Sequence, residues 1–190
     1  MRILSMPETT TWFAERGLVI AKWHCDLSGR PWKAYHIDPD SGAKALLAKA
    51  IASHFSEFGE SMVWIDEWGI WPSAEIWHLF NAFRESLGEP RVVIEEVGDV
   101  FTRREGENDP LSERPGHLFL PGDVHEMASL LALVLYFVWG AVVVSSSGEL
   151  IFRISHDEWI DVYAKGEADR EGLYDWLKWY LGEPFKQSPE

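Results

Sequence analysis

The stretch MASLLALVLYFVWGAVVV, residues 127–144, decides the fold class. Its first half is rich in helix-favouring Ala and Leu, whereas the three consecutive valines at its end favour a strand. We therefore expect a buried helix over about 123–139, a break at Gly140 and a buried strand over 141–145. A buried helix followed directly by a buried strand predicts a sheet that is covered by helices.

The same 18 residues reach the lower limit of length for crossing a bilayer. Three features argue against a membrane span. No Lys or Arg flanks the stretch, its composition changes midway, and the following Ser145-Ser146-Ser147-Gly148 is typical of a turn. We expect a protein that is not membrane-embedded.

The rest of the chain alternates between strand and helix patterns. A hairpin is expected from a run at 18–20 and a second strand at 31–37, followed by a helix that ends at Gly59. Ser61 to Trp71 suggests a strand, although its Trp spacing also fits a helix. The pattern predicts an α+β fold, a mainly antiparallel sheet with three to four covering helices. We expect one globular domain over 1–190, with an irregular charged loop at 103–116.

Ser155-His156-Asp157-Glu158 combines a nucleophile, a base and two carboxylates. Consecutive residues do not form a catalytic triad, because those partners meet through space. Ser followed three residues later by Glu matches a helix capping box, so we expect a short helix to begin at Ser155.

Composition limits the classes of function. Net charge is −14, from 17 Lys and Arg against 31 Asp and Glu, so nucleic acid is a poor partner. The single cysteine, Cys25, excludes an internal disulfide and fits a reducing, cytoplasmic location. No nucleotide-binding or hydrolase motif and no metal-ligand spacing occurs, so we expect no cofactor, no metal site and no catalytic residue, with the balance leaning against an enzyme. The sequence indicates no oligomeric state.

One region is both acidic and rich in tryptophan. Residues 50–83 contain no Lys or Arg. Carboxylates steer association with a basic protein and tryptophan supplies contact area, so this region is the predicted binding surface. Its candidate binding residues are Glu60, Trp64, Asp66, Glu67, Trp68 and Trp71.

We therefore expect a non-catalytic, cytoplasmic protein-binding protein that masks or recruits a basic protein partner. It resembles bacterial immunity proteins, which neutralise toxins, in charge and size only. The alternative is a hydrolase, or a protein that binds a small ligand or carbohydrate, with a Trp-rich pocket and one of His78, His117 or His125. A structural interpretation also stays open, in which the tryptophans form the core and the acids its solvated reverse face.

Overall fold

The computed structural model describes residues 1–21, 24–67, 85, 116–165 and 167–187. The chain divides into two units, Met1–Ile70 with Pro115–Glu190 and Trp71–Arg114, and the fold given below is that of the first. The single domain stays a prediction. The predicted loop at 103–116 lies outside the described residues, apart from Gly116.

The described residues form ten strands and four helices. The strands are β1 (Arg2–Leu4), β2 (Val19–Ala21), β3 (His24–Asp26), β4 (Trp32–His36), β5 (Ser61–Glu67), β6 (Gly116–Phe119), β7 (Gly140–Ser145), β8 (Leu150–Ile154), β9 (Trp159–Ala164) and β10 (Lys186–Gln187). The helices are α1 (Met6–Ala14), α2 (Ser41–Ser56), α3 (Val124–Tyr136) and α4 (Glu167–Leu181).

Eight of these strands form one sheet in the order β1-β6-β5-β7-β8-β9-β4-β10, with every neighbouring pair antiparallel. Strands β2 and β3 form a separate two-stranded sheet. The predicted α+β class with a mainly antiparallel sheet and covering helices is confirmed.

Both faces of the sheet are covered. On one face, Phe55 of α2 meets Phe152 edge-on, with ring centroids 5.1 Å apart, and α4 places Tyr174 under the Lys33 ammonium at 3.9 Å. On the other face, α1 and the β2–β3 pair pack on the sheet. Their shared core contains Trp12, Phe13, Leu18, Cys25, Met62, Trp64, Val142, Val144 and Ile151. All residues of β7 are buried, as expected for a central strand with two covered faces.

The stretch 127–144 divides between α3 and β7, as predicted, but the break lies earlier than Gly140. The helix ends at Tyr136, and Val138 then adopts a left-handed conformation with φ 57°. The Trp139 N–H donates to the Val134 carbonyl at 2.9 Å and closes the helix end. Among the described residues, no helix combines the length and apolarity that a membrane crossing needs.

Two predicted local structures are wrong. The run at 18–20 pairs with β3, with Ile20 opposite Cys25, whereas β4 pairs with β9 and β10. The helix expected at Ser155 is a hairpin turn between β8 and β9, closed by the Ser155 N–H, which donates to the Trp159 carbonyl at 2.8 Å. Glu158 has φ 64° in this turn, and its carboxylate accepts from Lys44 Nζ at 2.7 Å. The carboxylate therefore stabilises the contact with α2.

Gly116 opens β6 where α1 lies closest to the sheet. Its N–H donates to Thr9 Oγ1 at 2.9 Å, and this hydroxyl donates to the Ser5 carbonyl at 2.9 Å. A Cβ added at Gly116 would lie 2.6 Å from both Met62 Sδ and Thr9 Oγ1. The small residue therefore permits the close packing of α1.

We predict that Gly116→Ala lowers the free energy of unfolding by about 1–3 kcal/mol, because the added methyl overpacks this contact. The matched control is Gly122→Ala, whose added Cβ has no atom within 4 Å, and which should change stability by less than about 0.5 kcal/mol. Urea unfolding of both variants gives the measurement. Equal stability of the two variants would contradict the packing argument.

Candidate functional site

Glu60, a predicted binding residue, holds α1 to the sheet. Its Oε1 accepts from Trp12 Nε1 at 3.1 Å and from Arg16 Nη2 at 2.8 Å. The Arg16 guanidinium lies 3.4 Å above the Trp12 ring and also donates to the Ser146 carbonyl at 2.8 Å. Burial lowers the pKa of Arg16, and the charge of Glu60 opposes that shift. Glu60 thus has a cationic partner 44 residues earlier in the sequence.

Trp64 and Asp66, two of the predicted binding residues, are buried, which for Trp64 agrees with the alternative interpretation that the tryptophans form the core. Trp64 is 0% exposed and meets Phe13 edge-on at 5.8 Å, and Asp66 is 6% exposed. Glu67 ends β5 beside Gly140, and Trp68 and Trp71 lie outside the described residues. A binding role of the six predicted residues stays a prediction.

The histidines of the alternative hypothesis do not share a site in the described part of the chain. His117 is 0% exposed in β6, His125 is exposed at the start of α3, and His78 lies outside the described residues. Over residues 1–21, 24–67, 116–165 and 167–187, no three His, Cys, Asp or Glu side chains come together in a way that could hold a metal ion.

Several titratable groups beneath α1 and the β2–β3 pair have shifted pKa values. Burial, and secondarily the charge of Asp66, raises the pKa of the Cys25 thiol to about 12. Burial and the charge of Asp161 raise the pKa of Tyr163 to about 12, and burial raises the pKa of Asp161. At neutral pH, Cys25 and Tyr163 are therefore protonated and poor nucleophiles.

The C-terminal part of the chain exposes large aromatic side chains. Leu173, Tyr174 and Leu177 form the buried side of α4, whereas Trp179 points away from them and is 89% exposed. Tyr180 and Phe185 are 41% and 46% exposed. We call these three residues, Trp179, Tyr180 and Phe185, the α4 surface. Exposed aromatic side chains are enriched at sites of protein interaction.

Aromatic contacts fix the position of this surface. Trp176 stacks on His54 of α2 with ring centroids 4.8 Å apart and contacts Tyr180 at 5.2 Å. His36 of β4 stacks on Phe185 at 3.9 Å. Burial lowers the pKa of His54, so this imidazole stacks in its neutral form at pH 7. Tyr180 and Phe185 are thus held against neighbouring elements, which preorganises these two rings for binding.

A groove of about 480 Å³ lies beside the α4 surface, between the β4–α2 loop and the end of α4. It is lined by His36, Ile37, Asp38, Pro39, Tyr180, Leu181 and Gly182. The Asp40 N–H donates to Asp38 Oδ1 at 2.9 Å and orients this carboxylate. Asp40 in turn accepts from the Ala43 N–H at 3.0 Å and caps α2. The groove therefore has aromatic walls and an oriented carboxylate at one side.

Four exposed carboxylates accompany these aromatic rings, as do the exposed Lys178 and Lys186. Asp38 and Asp40 are exposed on the groove side, and Asp175 is exposed one helical turn before Trp179. Glu183 is exposed and is paired with Lys178, whose Nζ lies 3.2 Å from Glu183 Oε1.

No protein-family model matches this chain, and neither a curated protein nor a solved structure matches it. What the chain can bind must therefore be argued from its own surfaces. Within the described residues, Trp179 is the most exposed large hydrophobic side chain, and an open groove is lined by its neighbour Tyr180.

The buried thiol gives a prediction. Cys25 is the only cysteine, so a thiol reagent reports on this position alone. Raising its pKa from 9.0 to about 12 reduces the thiolate fraction at pH 8 by about a thousandfold, and burial also blocks access. We expect labelling by a chromogenic disulfide reagent at pH 8 to be slow in the native protein and fast in denaturant. Fast labelling of the folded protein would show that Cys25 is accessible.

Proposed function

We propose that this protein is a non-catalytic, cytoplasmic binding protein that masks or recruits a basic protein partner through the α4 surface. The exposure of Trp179, 89% of whose surface faces solvent, carries the proposal. Tryptophan is the residue type most enriched among those that dominate binding energy at protein interfaces. The lone, buried Cys25 is compatible with a reducing compartment.

The charge of the chain favours a basic partner over the alternatives. A second copy of a chain with net charge −14 would be repelled, and so would the phosphates of nucleic acid. A basic protein would instead be attracted to the carboxylates Asp38, Asp175 and Glu183 around the rings. Such charges act mainly on the association rate and on the choice of partner, and the aromatic contacts supply most of the affinity.

Burial of the aromatic rings supplies the driving force. Removal of apolar surface from water stabilises a complex by roughly 25 cal/mol per Å² before the costs of association. The contacts of Trp176 with His54 and of Phe185 with His36 already hold part of this surface in place. Little side-chain ordering is then required when a partner binds.

The test is a pull-down from the host lysate at low salt and at high salt, with wild type and Trp179→Ala. We expect wild type to retain a basic protein at low salt and to lose much of it at high salt, because salt screens exposed charges. Trp179→Ala should reduce the retained amount at least about tenfold, since truncating a dominant interface residue removes about 2 kcal/mol or more of binding energy.

The matched control is Tyr136→Ala, which removes another aromatic ring that is 64% exposed, on α3. This variant should retain the partner as wild type does. Undiminished retention by Trp179→Ala, or a retained protein that is acidic and insensitive to salt, would refute the proposal. Equal loss in both variants would point to nonspecific aromatic adhesion and would equally count against it.

A further inference from the structure

The groove beside the α4 surface ends at the C-terminus of a helix. Leu181 and Gly182 line it, and the last carbonyls of a helix carry the negative end of the helix dipole. The Gly182 N–H donates to the Lys178 carbonyl at 3.0 Å, and Gly182 has φ 73°, so this helix end has an ordered left-handed turn. A cation in the groove would be stabilised by this end of α4.

A second negative group lies at the opposite side of the groove. Asp38 is exposed, and the bond from the Asp40 N–H to its Oδ1 holds it in one orientation. An ionised carboxylate offers about four lone-pair positions, so this single bond leaves most of its acceptor capacity for a ligand. The helix end and the carboxylate thus favour the same sign of charge.

Aromatic rings form the remaining walls. Tyr180 and His36 both line the groove, and the His36 imidazole stacks on Phe185 with ring centroids 3.9 Å apart. Cations are attracted to the faces of aromatic rings, and the planar guanidinium of arginine stacks on them while its five N–H groups donate at its edge. Lysine has a compact ammonium that cannot stack in this way.

We propose that this groove binds the side chain of an arginine, which stacks against Tyr180 and donates to Asp38 and to the terminal carbonyls of α4. The inference deepens the proposed function and rests on it, because it names the residue type by which the basic partner is recognised. A basic partner would then place one arginine in the groove while its apolar surface covers Trp179.

In the experiment, three small probes are titrated into the isotope-labelled full-length chain, and the chemical shifts of the backbone amides are followed by NMR. The probes are N-acetyl-arginine amide, N-acetyl-lysine amide and N-acetyl-citrulline amide, the last being a neutral analogue with nearly the shape of arginine. We expect the arginine probe to bind weakly, with the largest shifts at residues 36–38 and 180–182. The lysine probe should bind more weakly, and the citrulline probe should bind weakest, because it lacks the charge.

Two variants locate the contact. Asp38→Asn keeps an oxygen that can accept from the Asp40 N–H, so folding should be preserved, and it should weaken arginine binding by about two- to fivefold, the range of a solvent-exposed charge pair. Tyr180→Ala should weaken it by a similar factor. Glu149→Gln, a matched neutralisation on the exposed β7–β8 turn, should have no effect.

The outcomes separate this inference from the proposed function. Equal affinity for arginine and citrulline, shifts away from the groove, or an Asp38→Asn variant that binds as wild type would each overturn the arginine assignment. If Trp179→Ala abolishes partner capture while Asp38→Asn leaves it unchanged, the proposed function is supported and the assignment of the groove to arginine is refuted. If the arginine probe binds as expected and no basic partner is captured, the assignment of the groove to arginine is supported and the proposed function is refuted.

Discussion

The structure depends on a sheet whose central strand must be covered on both faces. Every residue of β7 is buried, and its neighbour β5 is buried over residues 61–66. Water is excluded from one face by α2 and α3, and from the other by α1 and the β2–β3 pair. Helix α1 packs closely on the sheet because Gly116 has no side chain beneath Thr9. The polar clamp of Arg16 and Glu60 then holds α1 at the margin of this core.

Periodicity and composition predicted the α+β class, α2, α3 and β7, but they did not distinguish two local signals with the same residue spacing. Ser5 and Glu8 have the same spacing as Ser155 and Glu158. At the first position the Ser5 N–H and hydroxyl donate to Glu8 Oε2 at 2.8 and 2.7 Å, and a helix begins. At the second a hairpin forms, since the alternating residues after Glu158 pair with β8 and β4. The long-range pairing, absent from the local pattern, decides between the two.

The α4 surface and its groove were not predicted from the sequence, and the binding role of the six predicted residues stays a prediction. A window free of Lys and Arg suggested uncompensated acids, yet Glu60 is paired with Arg16, which lies far away in the sequence. Trp64 lies in β5, where residues 61–66 are all buried, and strand patterning alone does not say how many faces of a strand are covered. Trp179 could have been recognised from its position opposite the apolar stripe of α4. The groove could not, because it joins the β4–α2 loop to the end of α4.

The attachment of α4 and β10 at one margin of the sheet has a consequence for cooperativity. β10 has only two residues, and both pair with β4. The buried side chains of α4 are Leu173, Tyr174 and Leu177. Such a peripheral unit can open in a sub-global event of lower free energy than complete unfolding. Its amide hydrogens would then exchange with solvent before those of β7. The binding surface can thereby be lost and regained while the core stays folded, which uncouples the lifetime of a complex from the global stability of the protein.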